Sequence, residues 1–244
     1  MTATLERRTL PTKFEVRSAP AGHKIIEGYA AKYDRYSENL GGFVEVVRPG
    51  FFDRAMRDER TLGRYNHHAV LARIGAGTLR LSSDTTGLGY EIDVNPKDPE
   101  AVSVLAKVER GDVCFSSFAF SVTRDGDAWG ETEQGFPLRE LVAGGCARLH
   151  DVAPVDEPAY PDTESGVRMA RCALRSFAEA VEVDPKVIEA AAEQGDLIDL
   201  IRGARNLEPS EPPAEPTTAA APAVLVRLEL ERLAARRRAH LRPR

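Results

Sequence analysis

Cysteine is scarce in this chain, which has three cysteines among 244 residues: Cys114, Cys146 and Cys172. They are too few and too scattered for a disulfide framework. No CxxC pair is present, so neither a zinc ribbon nor a thioredoxin-type redox site is indicated. The cysteine content therefore predicts a protein of a reducing compartment.

Long apolar runs are also missing, and the net charge is small. No segment is apolar over the length needed to span a bilayer, and the opening MTATLERRTLPTKFEV lacks the apolar core of a signal peptide. A net charge of −5 carries no nucleic-acid-binding signature. These observations predict a cytoplasmic protein with neither a membrane nor a nucleic acid as its direct partner.

Several catalytic motifs are absent. The chain has no GxGxxG and no GxxxxGK[ST] loop, which disfavours a nucleotide enzyme, and no cofactor is expected. It also has no GxSxG nucleophile elbow, which disfavours an α/β-hydrolase. A serine hydrolase with this sequence would need its nucleophile on a strand of a different scaffold.

The sequence that is present divides into zones, and the first, residues 13–168, is rich in β-prone runs separated by turn residues. This spacing favours a mainly β domain of closed or sandwich type, flanked by short helices. One helix is predicted over residues 49–59, and a second follows Asp98 and Pro99 and ends at Gly111. The predicted strands are EVRSAP, IIEGYAAKY, FVEVVRP, TLRLSSD, LGYEIDV, VCFSSFAFSV and ARLHDVAPV.

The C-terminal third is different in composition. Residues 169–206 are alanine-rich and predict a helical extension, with a start signal at Asp184 and Pro185. Residues 207–222 are rich in proline, glutamate and alanine, which is typical of a linker. Residues 223–244 form a basic tail, either a short solitary helix or a disordered terminus. A basic end behind an acidic body suggests a partner for the tail.

The run VCFSSFAFSV raises a chemical question. On a strand, Phe118 and Phe120 point to one face, and Ser117, Ala119 and Ser121 point to the other. These serines either face water on a half-exposed sheet, which is the commoner case, or include a nucleophile held on a rigid scaffold. The second interpretation needs a base and an orienting group.

Histidines and one aspartate supply the candidates. His67 and His68 are adjacent, and on an extended segment only one of them can face a given site. His150 and Asp151 also alternate, and Asp151 could fix the tautomer of a histidine. A metal site from His67, His68, His150 and Asp151 is a weaker hypothesis, because no compact ligand spacing supports it.

Four stretches together resemble the prohead proteases of tailed bacteriophages, whose fold is related to that of the herpesvirus capsid-maturation protease. They cover about residues 14–168 in the order of the family. They are IIEGYAAKYD with VVRPGFFDRAM, YNHHAVLARIGAGTLRLSSDTTGLGYEIDV, VERGDVCFSSFAFSV, and HDVAPVDEPAYPDT. The resemblance implies a herpesvirus-protease-like closed β-barrel.

The resemblance also implies site residues. Ser117, directly before Phe-x-Phe, is similar to the nucleophile, and His67, which follows Asn66, is similar to the base. Asp151 stands where the family usually has a glutamate as the third member. Ser116 and His68 are the neighbouring alternates, and His150 competes with Asp151 because the herpesvirus enzymes use a second histidine. Arg124 or the amides of residues 75–77 are candidate oxyanion donors.

The same resemblance implies a serine endopeptidase of capsid maturation. Its substrates would be scaffold segments, the major capsid protein and the protease itself, inside the procapsid assembling in the host cytoplasm. The sequence leaves the oligomeric state open, and a homodimer or higher oligomer in the procapsid is compatible with it. The alternative is a catalytically inactive assembly or scaffolding factor on the same fold.

Overall fold

The computed structural model of the protein describes residues 4–20, 22–157 and 164–205. The strands in these residues are β1 (Glu6–Pro11), β2 (Glu15–Ser18), β3 (Lys24–Lys32), β4 (Val44–Val47), β5 (Leu62–Tyr65), β6 (Ala69–Arg73), β7 (Leu79–Ser83), β8 (Gly87–Asp93), β9 (Phe115–Val122), β10 (Asp127–Glu131), β11 (Pro137–Leu141) and β12 (Cys146–Val155). The α-helices are α1 (Pro99–Arg110), α2 (Glu164–Ala180), α3 (Pro185–Gln194) and α4 (Leu197–Arg205). The fold is therefore a mixed α+β fold in which strands predominate, as predicted.

The strands of the described residues form three sheets. One has the order β1-β9-β12-β5-β6, another β10-β11-β4, and the last β2-β3-β8-β7. The pairs β4–β11 and β5–β12 are parallel, and the other pairs are antiparallel. No closed barrel is present among these sheets, so the predicted barrel is not confirmed.

Strand β9 runs through the core. Phe118 and Phe120 are buried and pack edge-on against Phe52 and Phe51, with ring centroids 5.4 and 5.7 Å apart. The opposite face of β9 is buried as well, since Ser117 is only 1% exposed. The interpretation of these serines as solvent-facing residues on a half-exposed sheet is therefore wrong.

The helix predicted over residues 49–59 is also wrong. The segment is a series of turns that contains one short 3₁₀ helix, Ala55–Arg57. Gly50 has a φ of +84°, which no helix accommodates. Both Phe51 and Phe52 are fully buried against β9, and we attribute the turns to the burial of these two consecutive rings, which overrides the apolar periodicity.

Helix α1 confirms the prediction made from its ends. The Asp98 side chain accepts a hydrogen bond from the Glu100 N–H, and Pro99 occupies the first turn. Gly111 ends the helix with a φ of +88°, where other residues would be strained. Local signals were sufficient here because the caps and the apolar face agree.

The helices α2 to α4 form a second apolar cluster, which includes Phe43 and Trp129 from the strand-rich part of the chain. Helix α3 begins after the predicted cap Asp184 and ends at Gly195. None of the helices in the described part of the chain is long and apolar enough to cross a lipid bilayer. The predicted linker, 207–222, and the predicted tail, 223–244, lie outside the described residues, and the boundaries at 168 and 206 stay predictions.

A buried cluster of charges joins β1 to the three-stranded sheet. Arg139, which is 0% exposed, binds the carboxylates of Glu6, Glu45 and Asp127, and Arg8 binds those of Glu6 and Glu45. Burial raises the pKa of Asp127. Burial acts in the same direction on Glu6, but Arg139 and Arg8 outweigh it, so the pKa of Glu6 is lowered.

Replacing Arg139 with methionine is expected to destabilise the protein by about 3–5 kcal/mol, because three buried carboxylates lose a shared cation. Urea unfolding followed by circular dichroism would measure the change. Arg48→Met is the matched control: Arg48 binds Asp34 and Glu140 but is 42% exposed, so a loss below about 1 kcal/mol is expected. Equal losses in the two variants would contradict the structural importance given to the buried cluster.

Candidate active site

Ser117 lies in the middle of β9, between β1 and β12. It pairs directly with Thr9 on one side and with Ala153 on the other. Directly opposed residues share a face of the sheet, so the positions Arg7, Thr9, Ser117, Asp151 and Ala153 lie on one face. Ser117 is therefore held by strands on both sides rather than by a mobile loop.

His67 lies in the tight turn between β5 and β6. The His68 N–H donates to the Tyr65 carbonyl at 3.0 Å, and the two central residues, Asn66 and His67, have φ values of +50° and +59°. Two positive φ values are typical of a type I′ hairpin turn, and asparagine tolerates them better than histidine. The Asn66 N–H donates to the Pro154 carbonyl at 3.2 Å, which ties the turn to the end of β12. His67 thus occupies a strained backbone position that tertiary contacts maintain.

The imidazole of His67 joins the other two predicted residues. Its Nε2 lies 2.8 Å from Ser117 Oγ, and its Nδ1 lies 2.6 Å from Asp151 Oδ1. Because an ionised carboxylate only accepts hydrogen bonds, Nδ1 carries the hydrogen and Nε2 is free to accept the serine proton. The side chains of His67 and Asp151 are each 10% exposed, so the pair is largely shielded from water.

Asp151 reaches this face through an irregularity in β12. Leu149 pairs with Phe120, but Asp151 pairs with Ala119, so β12 has one extra residue, His150, at this point. Without this bulge the regular alternation would place Asp151 on the face of Leu149, towards the aromatic core. β-Bulges often redirect a side chain next to an active site, and this one directs the carboxylate towards His67.

Arg64 on β5 makes two contacts at the site that the sequence did not predict. Its Nε lies 3.7 Å from Asp151 Oδ2, and its Nη1 donates to the His68 carbonyl at 2.7 Å. One guanidinium thus faces the second oxygen of the carboxylate and also holds the histidine turn. Its position three residues before His67 on a strand gives no recognisable signal in the sequence.

The three alternates lie elsewhere. Ser116 bonds Tyr90 Oη at 3.0 Å inside the core, on the opposite face from Ser117. His68 is exposed. His150 occupies the bulge, and its buried Nε2 has no hydrogen-bond partner among the described residues. Burial, together with Arg148, lowers the pKa of His150. Among the described residues, no hydrogen bond links any of the three to His67.

Neither predicted oxyanion donor has a contact with Ser117 among the hydrogen bonds of the described residues. The amides of Gly75 and Gly77 already donate to the carbonyls of Glu59 and Ile74. Arg124 is exposed and lies beyond Val122, where β9 ends. The strand alone carries the chain about 16 Å from Ser117 to that end, at about 3.3 Å per residue.

The described residues contain no group of three or more His, Cys, Asp or Glu side chains arranged to hold a metal ion. The arrangement of Ser117, His67 and Asp151 can instead perform nucleophilic catalysis. A hydroxyl within hydrogen-bond reach of an imidazole, itself oriented by a carboxylate, is the combination that activates serine for acyl transfer.

Comparison with known proteins gives one family. Residues 12–176 match the family model described as caudovirus prohead serine protease. Neither the curated proteins nor the solved structures give a match. The matched range contains β9, the turn of His67 and β12, and it covers more than half of the 244 residues. The chain belongs to the caudovirus prohead serine protease family.

Proposed function

We propose that this chain is a capsid-maturation endopeptidase in which Ser117 is the nucleophile, His67 the general base and acid, and Asp151 the orienting carboxylate. Ser117 Oγ attacks the carbonyl carbon of the scissile peptide while His67 Nε2 takes its proton. The C–N bond then breaks, and His67 returns the proton to the leaving amine. Water, activated by the same imidazole, hydrolyses the acyl-enzyme and restores the serine.

The observation that carries the proposal is the pair of contacts at His67: 2.8 Å from Nε2 to Ser117 Oγ and 2.6 Å from Nδ1 to Asp151 Oδ1. The three residues come from the turn between β5 and β6, from β9 and from β12, yet they meet at one imidazole. Family membership supports the same reaction class, because the family is one of serine proteases.

Prohead proteases act on capsid or scaffold proteins, and we extend this to the present chain. The proposed substrates are scaffold segments, part of the major capsid protein and the chain itself, and the proposed site of action is the interior of the procapsid in the host cell. The predicted linker over residues 207–222 is the segment of the chain that we expect to be cut, since exposed proline-rich and polar segments are preferred sites of proteolysis.

Self-cleavage tests the proposal directly. Intact-mass spectrometry of the purified full-length protein, sampled during incubation, is expected to show fragments that accumulate with time and that end within residues 207–222. A serine-directed fluorophosphonate should stop the accumulation, and a chelator should not. A chain that stays intact and also leaves a denatured protein substrate uncut would favour the inactive assembly factor, and inhibition by the chelator would favour a metal-dependent hydrolase.

A further inference from the structure

Ser117 is inaccessible in this structure, although a nucleophile must touch its substrate. The residue is 1% exposed, whereas attack requires a substrate carbonyl carbon within about 3–3.5 Å of Oγ. Some element must therefore move before an external peptide can react. This inference rests on the proposed role of Ser117.

Two of the three groups that hydrogen-bond the Ser117 hydroxyl in the described residues come from β1, and the third is His67. Ser117 Oγ donates to the Arg8 carbonyl at 2.9 Å, and the Thr9 hydroxyl donates to Ser117 Oγ at 3.2 Å. The serine hydroxyl has a single proton, so the Arg8 carbonyl competes for it with His67 Nε2 at 2.8 Å. A bound substrate would also present a backbone carbonyl to the Ser117 hydroxyl, as Arg8 does here.

The position of β1 in the sheet makes it the element that can leave. It is an edge strand of the five-stranded sheet, next to β9, whereas the other neighbour of β9, strand β12, lies inside the sheet and pairs on both sides. An edge strand is released without breaking any other strand pair. The family match begins at residue 12, directly after β1, so β1 lies outside the matched region.

The attachment of β1 is polar rather than apolar. In the buried charge cluster, Glu6 binds Arg139 and Arg8 binds Glu45. Arg139 keeps its bonds to the carboxylates of Glu45 and Asp127 when β1 is removed. Removal of β1 takes Glu6 and Arg8 away together, one carboxylate and one guanidinium, so the net charge of the remaining cluster does not change, unlike in the Arg139→Met variant. The buried Nε of Arg7 has no hydrogen-bond partner among the described residues, which further weakens the hold of β1.

We propose that the strand position beside β9 is the binding site for an extended polypeptide substrate, and that Glu6–Pro11 fills this site in cis until a substrate strand displaces it. An incoming peptide would add to the edge of β9 as an antiparallel strand, with main-chain hydrogen bonds that replace those of β1. Its carbonyl at the position of Arg8 would then lie against Ser117. With β1 seated, the enzyme is latent.

A reversible lock on β1 tests this. Arg7 and Ala119 are directly opposite each other, at a separation of about 4.5–5.5 Å between Cα atoms for antiparallel pairs, which a disulfide spans. In the full-length Arg7→Cys/Ala119→Cys variant, oxidation is expected to slow fluorophosphonate labelling of Ser117 and cleavage of denatured casein by at least about tenfold, and reduction should restore both. Equal rates in the oxidised and reduced forms would overturn the proposal.

The matched control ties the chain just beyond β1. The Thr12 N–H donates to the Cys114 carbonyl at 2.9 Å, so Thr12→Cys can pair with the native Cys114 and leave Glu6–Pro11 free. Its labelling rate should not depend on the redox state. A loss on oxidation as large as in the Arg7→Cys/Ala119→Cys variant would also overturn the proposal, because release of β1 alone would then not open the site.

A measurement that does not require catalysis distinguishes this proposal from the proposed function. In the full-length Ser117→Ala variant, hydrogen exchange followed by mass spectrometry should show that residues 6–11 lose protection when denatured casein is added. If the reduced Arg7→Cys/Ala119→Cys variant is not labelled by the fluorophosphonate and does not cleave casein, the proposed function fails. The exchange result then decides the proposal on β1 by itself: lost protection of residues 6–11 supports displacement of the strand, and unchanged protection overturns it.

Discussion

Ser117→Ala is expected to lower peptide-bond cleavage by at least about 10⁴-fold, because it removes the hydroxyl that is proposed to form the acyl-enzyme. Self-processing of the chain should stop with it. The fold should stay intact, since the change removes one hydroxyl from a strand that is paired on both sides. The Thr9 hydroxyl and the Arg8 carbonyl each lose a partner, at a cost of about 1 kcal/mol. Cleavage is measured on denatured casein and by intact mass, and folding by circular dichroism.

The neighbouring serine supplies the control. Ser116→Ala removes the hydrogen bond to Tyr90 Oη, a hydroxyl of a side chain that is 1% exposed, so it should destabilise the protein by about 1–2 kcal/mol. Its activity should stay within about twofold, because Ser116 faces the core. The two roles would be separated by the activity: Ser116→Ala should be destabilised but keep its cleavage rate, and Ser117→Ala should lose cleavage although its loss of stability is no larger than that of Ser116→Ala. Residual cleavage by Ser117→Ala near the wild-type rate would reject Ser117 as the nucleophile.

The sequence predicts an element of the fold when the residues that determine the element lie close together along the chain. Helix α1 was predicted because Asp98 and Gly111 act locally on its two ends. Strand β1 was missed because three consecutive charged residues, Glu6–Arg8, do not have the apolar pattern of a buried strand, whereas Glu6 and Arg8 bind Arg139 and Glu45, respectively, on distant strands. The periodicity of apolar residues gives no information about partners that are distant along the chain.

For the candidate active site, the sequence likewise predicted the residues but not their geometry. The residue types and the order of Ser117, His67 and Asp151 were available from motifs that resemble a family. Their geometry was not, because it depends on an extra residue at position 150 that reverses the alternation of β12. It also depends on a turn in which Asn66 and His67 both adopt positive φ, whereas the sequence argument treated this segment as extended. Backbone irregularities of this kind have weak sequence signals.

The sequence left open whether Asp151 or His150 orients the base, and this alternative gives the second large prediction. Asp151→Asn is expected to lower the rate of cleavage by about 10⁴-fold while the fold is kept. The carboxylate accepts the hydrogen on His67 Nδ1, across 2.6 Å. An amide can present its NH₂ group there instead, which favours the tautomer with the hydrogen on Nε2. That tautomer cannot take the proton of Ser117, so the geometry is kept but the base is lost.

His150→Gln is the matched control for Asp151→Asn, since His150 is the preceding residue and no hydrogen bond links it to His67 in the described residues. Its cleavage rate should change by less than about threefold, because the bulge is a property of the backbone and a glutamine fills similar space. Both variants are compared by fluorophosphonate labelling of Ser117 and by cleavage of denatured casein, with circular dichroism as the check on folding. If His150→Gln lost activity and Asp151→Asn kept it, the histidine would be the orienting member, and the bulge would have to rearrange so that the imidazole of His150 replaces the carboxylate at His67 Nδ1.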